Sequence, residues 1–334
     1  MDRTYFKRKI NRLRRRIANF FWQRDQNTRK AKLRRLSKGQ LEGIRQALTK
    51  DSQKSVSGCL LTISFGSRQL DNRDNLLDRF CQSFLAMTEN PKLIEIIIKI
   101  DDDDDLLFYD QIKKKYQGKI HLRFIVSPRG RGYADMHIWH ANAFKASSPS
   151  SLALFILTED SEFCYEAWDT KLISMIKAHP DNYFIAAPNT LTRVIKKEGP
   201  NPAKPVPVYW LIGVEFPIIG REVLKCTQRA AEHYPDCTCW GNLLLIDSFS
   251  GDILKGLWER YRINLLIEVP DFALRKGVFS WTDCPRRSNL RNTALLEFFK
   301  PEHQKIRDDM VDEIYRAYTA RTLQAIRPGQ VSVS

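Results

Sequence analysis

A chain of 334 residues, 43% hydrophobic and 28% charged, can bury a full core, and with 15 glycines and 15 prolines it is neither collagen-like nor of low complexity. Its net charge of +15 is uneven: residues 1–40 hold 15 of the 54 basic and 2 of the 39 acidic residues, and the other 294 hold 39 and 37. The pI near 9.5 therefore belongs to an N-terminal appendage, which counts against a nucleic-acid surface spread over the fold.

No apolar run reaches the roughly 18–20 residues that span a bilayer. Seven cysteines, an odd number without a signal peptide, point to a reducing cytoplasmic compartment. Cys237 and Cys239 are too few for a zinc site without a second pair.

In chain order, Phe6, Ile10, Leu13, Ile17 and Phe20/Phe21 recur at helical spacing, with arginines and lysines between them. This basic amphipathic helix suits the surface of an anionic membrane. It also suits packing on the protein's own surface, with nucleic acid the weaker alternative. A second basic run, Arg29 to Lys38, extends the arm, which is taken to span residues 1–50.

From residue 55 the character changes. Short apolar runs at 59–65, 93–100, 120–126, 151–157 and 183–188 read as buried strands, and helices are expected near 75–87 and 134–145. Alternation of this kind predicts an α/β domain over 55–300 with a mostly parallel central sheet flanked by helices. The proline-punctuated segment 201–210 reads as a crossover. Helices follow near 221–234 and 251–261, then a strand at 263–270, and residues 301–334 form a C-terminal helix and tail.

Ligands of parallel sheets collect at the carboxyl ends of the strands. Four such ends carry polar groups: Ser67/Arg68, Asp101–Asp105, Arg129–Arg131 and Glu159/Asp160. Carboxylates straight after a strand, as in TEDSEF, can hold Mg²⁺ or Mn²⁺ together with diphosphate oxygens; Asp160 is the leading ligand and Glu159 the second. Asp101 is the favoured acceptor for a nucleobase or ribose, with Asp103 or Asp104 a second contact. In PRGRGY the glycines permit close backbone approach, and Arg129 and Arg131 offer donors to phosphate. Asp135 serves either as a helix cap or as a contact to a sugar hydroxyl.

Together these features resemble the inverting family 2 glycosyltransferases and other enzymes of the GT-A fold. The resemblance covers about residues 57–270. It matches SFGSR (64–68) to the family's opening loop, KIDDDDD (99–105) to its base-binding strand end, and TEDSEF to its metal motif. It matches GDILKGLWERYRINLLIEVP to the catalytic-base segment, which puts Asp252 at the base position with Asp247 as fallback. Two positions depart from the family pattern: Thr158 or Ser161 replaces one metal-motif aspartate, and Gly251-Asp252 replaces the usual Glu-Asp.

The resemblance implies a GT-A-like (Rossmann-like) fold and metal-dependent transfer from a nucleotide sugar, UDP-linked by preference. The acceptor would be a glycan or a lipid-linked hydroxyl, and the enzyme would sit peripherally at the cytoplasmic face of a membrane. Trp210, Trp240, Trp258 and Trp281 are candidates for stacking on the acceptor sugar. Two rivals are a sugar-phosphate nucleotidyltransferase, disfavoured by the single glycine of SFGSRQLDNRDN, and a non-enzymatic membrane or nucleic-acid adaptor on an inactive scaffold.

Overall fold

The computed structural model describes residues 36–50, 56–69, 75–128, 143–190, 216–232, 246–276 and 301–326. The arm helix expected over residues 6–21, the segment 201–210, and Arg129, Arg131 and Asp135 all lie outside them, as do Trp210, Trp240 and Trp281.

Among the described residues eight strands form one sheet: β1 (Leu61–Ser67), β2 (Ile94–Asp101), β3 (His121–Ser127), β4 (Ala153–Ile156), β5 (Ser161–Phe163), β6 (Ile185–Thr190), β7 (Ile218–Gly220) and β8 (Leu266–Lys276). Their order is β3-β2-β1-β4-β7-β6-β8-β5. Only β5 and β7 run against the other six, so the sheet is mostly parallel, as expected. IEIIIKID in β2 is buried on both faces, which is why it reads as an unbroken apolar run and not as an alternation.

Helices cover both faces. On one side lie α1 (Lys38–Lys50), α2 (Leu76–Met87), α3 (Leu106–Tyr116) and α4 (Trp168–Lys177), which pack Leu48, Phe80, Phe84, Tyr109, Trp168 and Leu172 onto Ile63, Phe65, Ile96, Ile98 and Phe155. On the other lie α5 (Arg221–Glu232), α6 (Ile246–Tyr261) and α7 (Pro301–Ile326). They pack Val223, Leu257, Met310 and Ile314 onto Leu154, Ile156, Ile185 and Ile219. In β4, β6 and β7 alternate residues thus feed opposite cores.

Two segments behave differently from the expected domain outline. Residues 38–50, assigned above to the arm, form a helix docked on the domain: Leu48 is buried in the main core, and Lys113 Nζ donates to the Ala47 carbonyl at 2.9 Å. The C-terminal helix is an integral wall of the second core and not an appendage. It lies alongside α6 where Gly256 admits Val311; a Cβ at Gly256 would come within 2.8 Å of Val311 Cγ2. No helix among the described residues is long and apolar enough to cross a membrane.

Glu95 near the amino end of β2 is fully buried and meets Arg123 of β3 at 2.9 Å. Thr62 of β1 donates to Glu95 at 2.7 Å, the Ser148 amide donates to the same carboxylate, and Arg123 donates to the Ala146 carbonyl at 2.6 Å. The pair therefore clamps three strands to the segment that enters β4. Arg123→Met would leave the Glu95 charge uncompensated and should cost about 3–5 kcal/mol in urea unfolding. Adding Glu95→Gln should recover part of that loss, because both charges then leave together.

Candidate functional site

From β1 the chain moves outward through β2 to β3, then returns to place β4 on the other side of β1. A doubly wound sheet opens a crevice at such a reversal, outside the carboxyl ends of the two strands that flank it. The register levels two of these ends: Ser67 pairs with Ile100, so Arg68 and Asp101 leave the sheet together, while Ile156 pairs with Ser64, so β4 leaves it three residues earlier and Thr158 to Asp160 follow beyond its end.

The five consecutive aspartates have different surroundings. Arg68 Nη1 bridges Asp101 Oδ2 at 2.6 Å and Asp103 Oδ1 at 2.7 Å, and Lys99 also pairs with Asp101. Burial, with Arg68 nearby, pushes the Lys99 ammonium below its ordinary pKa, against the pull of Asp102, Asp103 and Asp104. The Asp101 side chain is 11% exposed and that of Asp103 48%, so the first lines the crevice and the second stands at its rim. Asp102 points to Arg45 of α1, 4.0 Å away.

Asp104 and Asp105 turn inward. Asp105 caps α3 by accepting from the Phe108 amide at 3.1 Å, which fixes where the helix begins. Asp104 Oδ2 accepts from the Gln69 amide at 2.8 Å and from the Tyr109 hydroxyl at 2.6 Å. Tyr109 is fully buried. Its pKa is raised well above 10 by burial first, then by the charges of Asp104 and Glu159, so the phenol keeps its proton.

Glu159, three residues past the end of β4, acts on the same hydroxyl through its charge. Beside it, Thr158 donates to Asp160 Oδ1, and its hydroxyl lies 3.2 Å from Ser161 Oγ. Thr158, where a strict Asp-x-Asp motif would have a carboxylate, instead orients Asp160. No group of three or more His, Cys, Asp or Glu suited to a metal occurs among the described residues. Magnesium commonly takes only one or two protein carboxylates, with phosphate oxygens and waters completing its shell. Glu159 and Asp160 fit that kind of site, one completed by a bound diphosphate.

The other predicted carboxylates lie on α6. The four residues 262–265 return the chain from α6 to the amino end of β8, so the N-terminus of α6 faces the carboxyl edge of the sheet. Asp247 is its second residue; the side chain lies outside the described residues. Asp252, about 7.5 Å further down the helix axis, pairs with the buried Arg307 of α7 at 3.0 Å. Burial raises the pKa of the Asp252 carboxyl although Arg307 and Lys255 oppose the shift.

The structure therefore gathers Ser67, Arg68, Asp101, Asp103, Glu159 and Asp160 at one edge, with no described contact joining Asp252 to them. Sequence reasoning missed Lys99, Gln69 and Tyr109. Only Tyr109 left a signal, as a tyrosine on the apolar face Leu106–Tyr109–Ile112–Tyr116 whose hydroxyl needs a buried partner.

The fold and this edge define a mostly parallel α/β domain with Arg68 and several carboxylates gathered at the carboxyl edge of its switch point. No protein-family model and no curated protein matches the chain. Among solved structures it is similar to Staphylococcus aureus TarS, with 13% identity and a TM-score of 0.45 over 82% of this chain and 46% of that one, so the chain spans about half of TarS. It is also similar to TarS 1–349 in complex with UDP (13% identity, TM-score 0.42, 81% of this chain and 76% of that). For TarS 1–349 in complex with UDP-GlcNAc the values are 10%, 0.43, 81% and 76%. Likeness at this level does not extend to side chains.

The aspartate run should resolve energetically as it does geometrically. Asp104→Ala removes two hydrogen bonds to a buried carboxylate and should cost about 2–4 kcal/mol. Asp105→Ala should cost about 1 kcal/mol as a lost cap, and Asp102→Ala should stay within about 0.5 kcal/mol. Equal losses in denaturant melts of the three variants would overturn the division of labour.

Proposed function

We propose that the protein is a glycosyltransferase that takes a sugar from a nucleotide donor, UDP-linked by preference, and delivers it to an acceptor hydroxyl. The observation that carries this reading is the convergence at the switch point of Arg68 with Asp101 and Asp103 on one side and Glu159/Asp160 on the other. One side offers hydrogen-bond acceptors of the kind a nucleobase and ribose need. The other offers carboxylates able to share Mn²⁺ or Mg²⁺ with a diphosphate, where the ion would offset charge on the leaving nucleotide.

On this reading the chain's own residues position the donor and remove a proton. A carboxylate on α6 takes the proton of the acceptor hydroxyl as its oxygen bonds to the anomeric carbon; the bond to the diphosphate breaks, and the configuration inverts. Asp252 has the raised pKa that suits a base, but Arg307 holds it within the helix pair. Asp247, nearer the crevice edge by its place in α6, is its rival. Arg129, Arg131 and Asp135 belong to the proposal as phosphate and sugar contacts. Residues 1–38 belong to it as an anionic-membrane attachment that brings the enzyme to a glycan or lipid-linked acceptor.

Calorimetric titration of UDP tests the donor site. Binding is expected with Mn²⁺ or Mg²⁺, lost in EDTA, and weakened at least tenfold by Asp160→Ala. Metal-independent binding that Asp160→Ala leaves unchanged would remove Glu159 and Asp160 from the site. Failure to bind any nucleoside diphosphate would overturn the reading as a whole. For the base, whichever of Asp252→Asn and Asp247→Asn abolishes turnover of the nucleotide sugar while leaving UDP affinity within about twofold identifies the carboxylate.

A further inference from the structure

Tyr109 is placed to do more than fill the core. Its hydroxyl is 2.6 Å from Asp104 Oδ2, 3.0 Å from the Gln69 amide nitrogen and 3.1 Å from Ser67 Oγ. A phenol has one proton to give and an oxygen that accepts. The carboxylate can only accept, so the Tyr109 proton goes to Asp104, and Ser67 and Gln69 donate to the phenol oxygen. The bonds to Ser67 and Gln69 hold the backbone on either side of Arg68, and the bond to Asp104 fixes the carboxylate that also accepts from the Gln69 amide. The same hydroxyl feels the charge of Glu159 at the end of β4. One buried group on α3 thus bonds the end of β1 and the aspartate run after β2, and lies within the field of the carboxylate after β4.

We infer that Tyr109 is a positioning residue for the nucleotide site: its hydroxyl, with Asp104, locks the 67–69 turn so that Arg68 stands between Asp101 and Asp103 before any ligand arrives. This inference rests on the proposed nucleotide-binding role of the crevice and adds the device that preorganises it. Without the hydroxyl, Ser67 loses its acceptor and Gln69 keeps only Asp104. The turn can then relax, and Arg68 must be ordered at the ligand's expense.

The chain supplies its own control. Tyr116, two turns further along α3, is likewise buried, and its hydroxyl donates to the Asp78 carboxylate at 2.7 Å, with no described contact to the crevice. The experiment compares Tyr109→Phe, Tyr116→Phe and wild type by UDP calorimetry with Mn²⁺ and by thermal unfolding, with Asp104→Asn as a second variant should Tyr109→Phe fail to fold. Both tyrosine variants should melt lower than wild type, but only Tyr109→Phe, and Asp104→Asn with it, should weaken UDP binding, by about tenfold. UDP affinity within twofold of wild type in Tyr109→Phe and Asp104→Asn would overturn the inference while leaving the functional reading intact. Equal weakening by Tyr116→Phe would reduce Tyr109 to a structural residue. A wild-type protein that binds no UDP or other nucleoside diphosphate would overturn the functional reading and this inference with it.

Discussion

Everything at the candidate site depends on the parallel pairing of β1 with β2 on one flank and β4 on the other. That pairing sets the ends of β1 and β2 at one level, with β4 leaving the sheet three residues earlier on the other flank. It is held at the opposite end by Glu95 and Arg123, whose bonds reach β1, β2, β3 and the entry to β4. A buried ion pair adds little net stability, because desolvating both charges offsets most of their attraction. What it supplies here is register. A slip of β2 by one residue would carry Glu95 away from Arg123 and turn Asp101 to the wrong face.

The aspartate run shows how such a frame converts a costly sequence into a site. Five adjacent carboxylates repel one another, and no helix or strand could tolerate them all facing one way. The chain disperses them instead: one to Arg45, one to the helix cap, one inward to Tyr109 and Gln69, and two to Arg68. The inward bonds hold the outward pair in place, since Asp104 fixes the very turn from which Arg68 extends.

Strands β1, β2, β3, β4 and β6 were legible because each is an apolar run, and the polar residues that close β1, β2 and β4 are the ones the structure gathers at the candidate site. The short strands β5 and β7, three residues each, carry too little pattern to be seen alone. Strand β8 begins later than expected because Ile263 still bonds back to the Leu257 carbonyl and the Asn264 side chain takes the Leu266 amide. It runs on past Pro270 because the ladder to β6 shifts register there, after Val269, and resumes at Leu274, so the missing amide is tolerated. The helix at 38–50 was hidden by the basic composition around it, although Leu41, Ile44 and Leu48 have helical spacing. The Asp252–Arg307 contact could not be read at all, because it joins two helices far apart in the chain whose approach depends on Gly256 meeting Val311.

Charge balance links the crevice to the chemistry proposed for it. Around the described edge stand Asp101, Asp103, Glu159 and Asp160, formally four negative charges, against Arg68 and Lys99, and both cations are already engaged by Asp101. A nucleoside diphosphate would bring further negative charge into a partly desolvated site, where like charges repel more strongly than in water. Binding it there therefore requires added positive charge on the diphosphate side. A divalent ion shared with Glu159 and Asp160 would supply it, and Arg129 and Arg131, which follow β3 in sequence, are the chain's own candidates for the remainder. On the proposed reading a divalent ion would suit the electrostatics of this edge, and a departure from strict Asp-x-Asp at Thr158 matters less than the retained carboxylate that Thr158 orients.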